Sequence, residues 1–136
     1  NTSFIGAADI VYFFIQLFAS MSYITIEGMD FYAYHGCFAE EQTIGTHFKV
    51  DLRMKTDTSR AQLSDDINHT TNYLEVYHTV RREMLQPSHL LEHVAHRIGT
   101  AVKAEYPEVE EVWVKVRKLN PPLGGQMEAV SVELTL

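Results

Sequence analysis

The chain has 136 residues, which is the length of one domain and is long enough to bury a core. With 46% hydrophobic and 21% charged residues, it has the composition of an ordinary globular protein. A formal net charge of -7 argues against a protein that tracks nucleic-acid phosphates, since such proteins carry basic stripes. The single cysteine, Cys37, excludes an internal disulfide and indicates a reducing compartment, so we expect the protein to be cytoplasmic.

Residues 1–20 differ from the rest of the chain. Their apolar run, residues 10–19, is too short to span a bilayer, which takes about 20 residues. No basic residue precedes Lys49, so the segment also lacks the basic start of a signal peptide. We expect residues 1–20 to be an extension outside one working domain of residues 21–136. Two interpretations of the extension stay open: a segment foreign to the natural protein, or one that packs against a partner subunit.

Two strands are predicted at the start of the domain. Residues 23–36, YITIEGMDFYAYHG, are rich in β-branched and aromatic residues and predict a long strand with a kink near Gly28. Residues 47–56, HFKVDLRMKT, alternate apolar with charged side chains, which is the clearest strand pattern in the chain.

A polar stretch then leads into two predicted helices. Asn72, with Glu75 three residues later, resembles a capping-box helix start. The apolar stripe of this helix consists of Tyr73, Val76, Tyr77, Val80 and Met84. Pro87 ends it, and Ser88 is placed to cap the next helix. The stripe of the second helix, which ends at Pro107, consists of Leu91, Val94, Ala95, Ile98 and Val102.

Two further strands complete the chain, one before and one after a Pro-Pro-Leu-Gly-Gly loop. Residues 112–118 alternate valines with larger polar or aromatic side chains, and residues 127–136 alternate in the same way. The order strand, strand, helix, helix, strand, strand predicts an α+β domain. We expect a four-stranded antiparallel sheet with both helices on one face, between the second and third strands.

Lys118 gives the sharpest chemical indication in the chain. Parity along its strand puts it on the same face as Val114 and Val116, just before an Asn-Pro-Pro turn. A lysine on an apolar face loses hydration, which favours its neutral form and makes it a usable proton acceptor near neutral pH. The competing interpretation is that the strand ends early and the side chain reaches back to water.

Four other residues are weaker candidates, each with a structural alternative. Tyr73 lies within an apolar stripe, where most tyrosines are core residues. Glu92 lies in the first turn of the second helix, where the helix dipole favours an acid without any ligand. Its carboxylate could equally accept two hydrogen bonds from a planar amino-heterocycle. Glu40 and Glu41 lie in the predicted loop between the first two strands, where acids are usually only solvated.

The seven histidines do not predict a metal site. His89, His93 and His96 have the spacing of one helix face, a geometry that zinc accepts, but that face is opposite the apolar stripe. No HExxH motif, Gly-rich phosphate loop or nucleotide fingerprint is present. We therefore expect no metal and no cofactor. We interpret His35 as a hydrogen-bonded structural histidine rather than a base.

Four segments together resemble one family. Residues 31–45 (FYAYHGCFAEEQTIG), the stretch from 65 to 73, LLEH at 90–93 and KLNPPLGG at 118–125 are similar to the dihydroneopterin aldolases of folate biosynthesis. The resemblance covers residues 21–136 and implies the tunnelling fold. It also implies a homo-oligomer in which four subunits close a barrel and two such rings stack into an octamer. The expected partner is a small pterin substrate, with no nucleic acid and no membrane.

The resemblance further implies an activity and catalytic roles. Family members cleave 7,8-dihydroneopterin into 6-hydroxymethyl-7,8-dihydropterin and glycolaldehyde, and the substrate's own C6=N5 imine takes up the electrons. Lys118 corresponds to the catalytic lysine, which helps to take the proton from the 2'-hydroxyl. Tyr73, supplied by the neighbouring subunit, resembles the tyrosine that protonates the enol intermediate. Glu41 corresponds to the glutamate that orders the side-chain hydroxyls and a water near the lysine.

Substrate-binding residues also follow from the resemblance. Glu92 corresponds to the anchor that grips the 2-amino group and ring N–H of the pterin. The pocket is completed by Leu91 and by the backbone around Thr71 and Asn72. The chain departs from the family pattern at two places. Many relatives have histidine where Asn72 stands, and Glu40 adds a second acid beside Glu41, so a one-residue misalignment would exchange the roles of the two acids.

Two other functions stay open from the sequence. An epimerase of the same pterin, or of its triphosphate, would follow retro-aldol cleavage with re-addition, which inverts the 2' carbon. A triphosphate-specific enzyme should carry extra basic residues near the pocket and usually lacks the Lys-x-Asn-Pro-Pro loop. A non-catalytic, ring-forming pterin- or purine-binding protein would keep Glu92 but has no reason to keep Lys118 and Tyr73.

Overall fold

The structure of the chain, a computed structural model, describes residues 4–19 and 21–136. Its strands are β1 (Met21–Ala33), β2 (Thr46–Asp57), β3 (Glu111–Leu119) and β4 (Ala129–Thr135). Its helices are α1 (Ala7–Ala19), α2 (Ala39–Ile44), α3 (Ser59–Ser64), α4 (Tyr73–Met84) and α5 (Leu91–Glu105), with a 3-10 turn at Ile67–His69.

The four strands form one antiparallel sheet in the order β1-β2-β3-β4, which confirms the predicted fold class. A β-bulge shifts the β1–β2 register between Ile26 and Met29. Gly28, inside this bulge, has a φ of 64°, in the left-handed region that glycine enters without strain. Its N–H donates to the Asp51 carboxylate at 2.6 Å. The predicted kink near Gly28 is thus a bulge.

The core lies between the sheet and the two long helices. Alternate residues of β2 and β3 point inward, as the period-two pattern predicts, and Val50 lies opposite Val116 across the two strands. The predicted helical stripes supply the other side of the core: Val76, Val80 and Met84 from α4, and Val94, Ala95, Ile98 and Val102 from α5. Both long helices therefore cover one face of the sheet, as expected.

Three short helical segments were not predicted. The 3-10 turn and α3 lie in the polar stretch before α4, and α2 occupies what was predicted as a loop. Each is too short for a 3.6-residue apolar period to develop, so the sequence pattern does not reveal them. As a consequence, Glu40 and Glu41 lie in the first turn of a helix rather than in an extended loop.

The prediction that Ser88 caps α5 is wrong. Leu90 occupies the N-cap position of α5, with no side-chain cap, and the Ser88 N–H instead donates to His35 Nδ1 at 3.0 Å. His89 also precedes α5, so it cannot share a helix face with His93 and His96. Ser88, in the connection between α4 and α5, therefore contacts the segment just after β1 and does not cap a helix.

The first helix stands apart from this architecture. It places apolar side chains such as Ile10 and Val11 at the surface, and Phe4 and Ile5 just before it are exposed as well. That residues 1–20 lie outside the working domain stays a prediction. Across the part of the chain that the structure describes, no helix combines the length and the apolar character needed to cross a membrane.

Candidate active site

Lys118 points into the protein rather than out to water. Because β3 continues to Leu119, Lys118 keeps the inward parity of Val116, and only 8% of its surface is exposed. Its Nζ donates to the main-chain carbonyl of His35 at 3.1 Å and to the carboxylate of Glu41. The interpretation in which this side chain reaches back to water is therefore wrong.

Glu41, the partner of Lys118, is fixed from several sides. Its Oε1 accepts from Lys118, and its Oε2 accepts from the Phe38 N–H at 3.1 Å, at the start of α2. A Cβ added to Gly36 would overlap the Glu41 carboxyl group, so only glycine leaves room for it there. At the other end of α2, the Tyr32 hydroxyl donates to the Ile44 carbonyl at 2.5 Å. These contacts hold the short helix, and with it the carboxylate, in one position.

The electrostatic surroundings keep Glu41 ionised. Burial by itself would raise the pKa of the Glu41 carboxyl. The hydrogen bond from Lys118, backbone hydrogen bonds at Phe38 and Cys37, and the Lys118 charge outweigh that effect and lower the pKa below its ordinary value. Glu41 is therefore a carboxylate at neutral pH and holds a buried ion pair with Lys118.

His35 is a buried neutral histidine, which confirms its interpretation as a structural residue with hydrogen bonds. Only 1% of its surface is exposed, and its Nδ1 accepts from the Ser88 N–H. Burial lowers the pKa of His35 to about 4, and the charges of Arg97 and Lys118 act in the same direction, while the backbone of Met84 opposes them. An unprotonated Nδ1 is the acceptor that the Ser88 bond requires.

A cavity of about 440 Å³ opens beside the Lys118–Glu41 pair, within the size range of small-molecule sites. Its wall is formed by Phe38, Glu40, Glu41, Ile44, Gly45, Thr46, Lys118, Asn120 and Pro122. The sequence indicated Lys118 and Glu41 but not Phe38, Ile44, Asn120 or Pro122. The Asn-Pro-Pro motif was the available clue to the last two, because it follows Lys118 directly.

Leu91 and Glu92 lie at the same end of the sheet as Lys118, although neither lines the cavity. The Gly36 N–H donates to the Ser88 carbonyl at 2.9 Å, which ties the segment before α5 to the end of β1. Leu91 is half-buried against the core, and Glu92 is exposed in the first turn of α5.

Thr71, Asn72 and Tyr73 lie at the opposite end. The Thr71 hydroxyl donates to the Glu108 carboxylate at 2.8 Å, and Glu108 shortly precedes β3, whereas Lys118 is close to the last residue of β3. The seven steps along β3 from its first residue to Lys118 span about 23 Å at 3.3 Å a residue. Within one chain, the two sets of predicted site residues are therefore not brought together.

At this second end, the structure agrees with the sequence prediction for Asn72 but not with that for Tyr73. Asn72 caps α4 as predicted, since its Oδ1 accepts from the Leu74 N–H at 3.0 Å. Tyr73, however, is 64% exposed, so its interpretation as a core residue is wrong. It stands at the surface, at the end of the α4 stripe.

Potential metal ligands do not cluster in the described part of the chain. Within residues 4–19 and 21–136, no group of three or more His, Cys, Asp or Glu residues is placed to hold a metal ion.

Comparisons with known proteins agree with this architecture. The family model for dihydroneopterin aldolase (FolB) matches residues 24–135. The dihydroneopterin aldolase of Bacillus subtilis is 41% identical over 117 residues, which cover 85% of this chain and 97% of the relative. The crystal structure of Escherichia coli dihydroneopterin aldolase in complex with neopterin is 24% identical, covers 85% of this chain and 99% of its own, and has a TM-score of 0.79.

A more distant structural neighbour supports the fold alone. The uricase of Arthrobacter globiformis is 15% identical and has a TM-score of 0.59, over 84% of this chain and 48% of its own. The fold is thus the tunnelling fold that the sequence resemblance implied. With the family model matching most of the chain and a relative above 40% identity over nearly its whole length, the chain belongs to the dihydroneopterin aldolase family, a family of lyases.

Proposed function

We propose that the chain cleaves 7,8-dihydroneopterin into 6-hydroxymethyl-7,8-dihydropterin and glycolaldehyde, with Lys118 and Glu41 moving the proton that starts the reaction. The observation that carries this proposal is the buried Lys118–Glu41 ion pair in the wall of a cavity. A buried ion pair is seldom worth its desolvation cost for stability alone, so its place beside a cavity favours a chemical role.

The proposed reaction begins at the 2'-hydroxyl of the substrate. Lys118 can pass a proton to Glu41, which already accepts a hydrogen bond from it, and then takes the proton of the 2'-hydroxyl. The C1'–C2' bond breaks, C2' becomes the aldehyde carbon of glycolaldehyde, and the bonding pair moves into the C6=N5 imine as an enamine. The His35 carbonyl, on the other side of Nζ, keeps Lys118 pointed at the cavity during this exchange.

Tyr73 is proposed to finish the reaction from a neighbouring copy of the chain, by protonating C1' of the enol intermediate. The distance along β3 supports this assignment, because Tyr73 and Lys118 of one chain lie at opposite ends of the sheet. Its exposed ring, at the start of α4, is free to enter the site of another copy.

The pterin ring is proposed to bind beside the start of α5. Glu92 would accept hydrogen bonds from the 2-amino group and ring N–H, and the half-buried Leu91 would contact the ring. Thr71 and Asn72 of the neighbouring copy would line the other side. Both backbones are well held for such a role, Thr71 through Glu108 and Asn72 as the cap of α4.

The assembly that this site needs is a ring. We propose that four copies close a barrel and that two rings stack into a cytoplasmic octamer. The sheet supports such closure because β1 and β4 are its edge strands, each paired with one neighbouring strand among the described residues. Closing the sheet around a ring is one way in which proteins remove such edges.

The test is glycolaldehyde release from 7,8-dihydroneopterin. Lys118→Ala should lower the rate by about 10²–10⁴-fold, the usual contribution of a positioned acid or base. Lys115→Ala is the matched control, because Lys115 lies on the same strand but on the opposite face of the sheet, and it should leave the rate unchanged. Pterin binding should survive in both variants.

Two results would count against the proposal. Cleavage by Lys118→Ala at the wild-type rate would remove Lys118 from the mechanism. No cleavage by the wild-type protein, with tight pterin binding retained, would instead favour a non-catalytic pterin-binding protein.

A further inference from the structure

His35 is the point at which the two parts of the site within one chain meet. Its main-chain carbonyl accepts from Lys118 Nζ at 3.1 Å, and its ring Nδ1 accepts from the Ser88 N–H at 3.0 Å. The next residue, Gly36, donates its N–H to the Ser88 carbonyl at 2.9 Å. One residue therefore contacts the catalytic lysine through its backbone and the segment leading into α5 through its side chain.

We propose that His35 is a positioning residue that sets the distance between Lys118 and the start of α5, where Glu92 lies. The proposal rests on the proposed function, since it concerns the same site. It adds a residue that touches no substrate atom but decides whether the pterin anchor and the lysine fit one substrate.

The Ser88 side of this connection is itself held firmly. Arg97 of α5 donates to the Ser88 hydroxyl at 2.8 Å, to the Gln86 carbonyl at 2.7 Å and to the Glu83 carboxylate at 2.8 Å. The α4–α5 connection thus has little freedom of its own. A buried hydrogen bond, from the Ser88 N–H to the His35 ring, links this connection to the segment just after β1.

The paired bonds between residues 35–36 and Ser88 distinguish positioning from space-filling. A side chain that only filled the core would need volume and no acceptor, and an apolar residue would serve. Here the ring nitrogen meets a backbone N–H that would otherwise be buried without a partner, which is a costly arrangement. If the end of β1 and the segment before α5 moved apart, the bond from Ser88 N–H to His35 and the bond from Gly36 N–H to Ser88 would both break.

Two substitutions separate these roles. His35→Asn places its amide oxygen close to the position of Nδ1 and keeps the acceptor for Ser88, although it is the smaller side chain. His35→Gln is closer to histidine in volume but carries its amide one carbon farther out. We expect His35→Asn to keep kcat/KM within about threefold of wild type, and His35→Gln to lose about tenfold or more, as a lost buried hydrogen bond would give.

The two kinetic constants report on the two sides of the connection. Because Lys118 and the α5 start both move in His35→Gln, its loss should appear in a lower kcat together with a higher KM. A Gln variant at least as active as the Asn variant would overturn the proposal, since that order is expected of a residue that only fills space.

A second variant separates loss of the His35 bond from a general loosening of the α4–α5 connection. Ser88→Ala removes the hydroxyl that Arg97 contacts but keeps the N–H that donates to His35. We therefore expect its kcat and KM to stay within about threefold of wild type. A loss as large as that of His35→Gln would overturn the proposal, since the His35 bond is intact in this variant.

The wild type and Lys118→Ala, assayed beside these variants, separate the two proposals. Absence of cleavage by the wild type would mean that the proposed function fails. Normal cleavage by wild type, with no effect of His35→Gln, would mean that only the positioning role fails.

Discussion

The two ends of the sheet are built in contrasting ways. At the Lys118 end, the buried ammonium donates to the partly buried Glu41 carboxylate and to the main-chain carbonyl of His35, whose ring is buried as well. At the other end, Tyr73 stands 64% exposed at the start of α4. Folding of a single chain therefore brings Lys118, Glu41 and His35 into contact, while at the other end Tyr73 points outward.

This difference has an energetic meaning. Removing one member of the Lys118–Glu41 pair leaves a partly desolvated charge without compensation, so substitutions at the Lys118 end change stability as well as chemistry. Substituting an exposed hydroxyl usually changes stability by less than about 0.5 kcal/mol. Variants at the Tyr73 end should therefore change the reaction without changing the fold.

The largest effect expected at the exposed end is that of Tyr73→Phe. Loss of the hydroxyl should slow formation of 6-hydroxymethyl-7,8-dihydropterin by about 10²–10⁴-fold and divert the intermediate to side products, with the melting temperature unchanged. Chromatography of the pterin products is the measurement. Tyr77→Phe is the matched control, because Tyr77 lies one turn further along α4 and its ring stacks on Phe31. An unaltered product distribution in Tyr73→Phe would contradict the assignment.

A smaller effect is expected from Glu92→Gln, which weakens the anchor but leaves the proton pathway in place. Pterin binding should weaken by about 2–5 kcal/mol, the usual cost of truncating one side of a buried, charged hydrogen-bonded pair. Isothermal titration with a pterin gives the value. Glu110→Gln makes the same charge change on an exposed acid before β3 and should bind normally. Equal affinity in Glu92→Gln would show that Glu92 is only a helix-terminus acid.

The smallest effect concerns the stability of the buried end. His35 has a folded-state pKa of about 4, against about 6.5 when unfolded, so between these values the unfolded chain binds the extra proton. Stability is therefore lost as pH falls through this window, by about 2 kcal/mol between pH 6.5 and 4.5 from this residue.

Urea unfolding at fixed protein concentration measures that loss, and His35→Asn isolates it. The contribution of Glu41 to the stability of the protein is also lost in acid, because the pKa of Glu41 is lowered in the folded state. Both proteins share that contribution. The wild type should thus lose more stability than His35→Asn on acidification. Equal pH dependence in the two proteins would show that His35 is not held neutral by burial.

Much of the fold and part of the site could be predicted from the sequence. Period-two alternation in β2 and β3 fixes which residues face the core, and the same parity places Lys118 inside. Within the predicted α4 stripe, Val76, Val80 and Met84 are buried, and Tyr73, the first residue of the helix, is exposed.

What could not be predicted depends on contacts between segments that are far apart in the chain. The partnership of His35 with Ser88 joins residues 53 positions apart. The direct ion pair of Lys118 with Glu41 spans 77 positions, and only the family resemblance had placed the two residues near each other. Neither leaves a local periodicity. The residue pattern around Ser88 predicted a helix cap, a local function, whereas tertiary contacts use its backbone instead.

The central claim is that Lys118 and Tyr73 act in one site but come from two copies of the chain. Mixing two defective proteins tests it most directly. Lys118→Ala and Tyr73→Phe, unfolded together and refolded into mixed assemblies, are assayed for 6-hydroxymethyl-7,8-dihydropterin, with each variant refolded alone as the control.

Each variant alone should stay inactive, and the mixture should recover about a quarter of wild-type activity, because random mixing gives a quarter of the interfaces an intact lysine and an intact tyrosine. Recovery of that size would establish a site shared between copies. If both residues acted within one chain, every chain in the mixture would still lack one of them. A mixture no more active than its separate components would contradict the account.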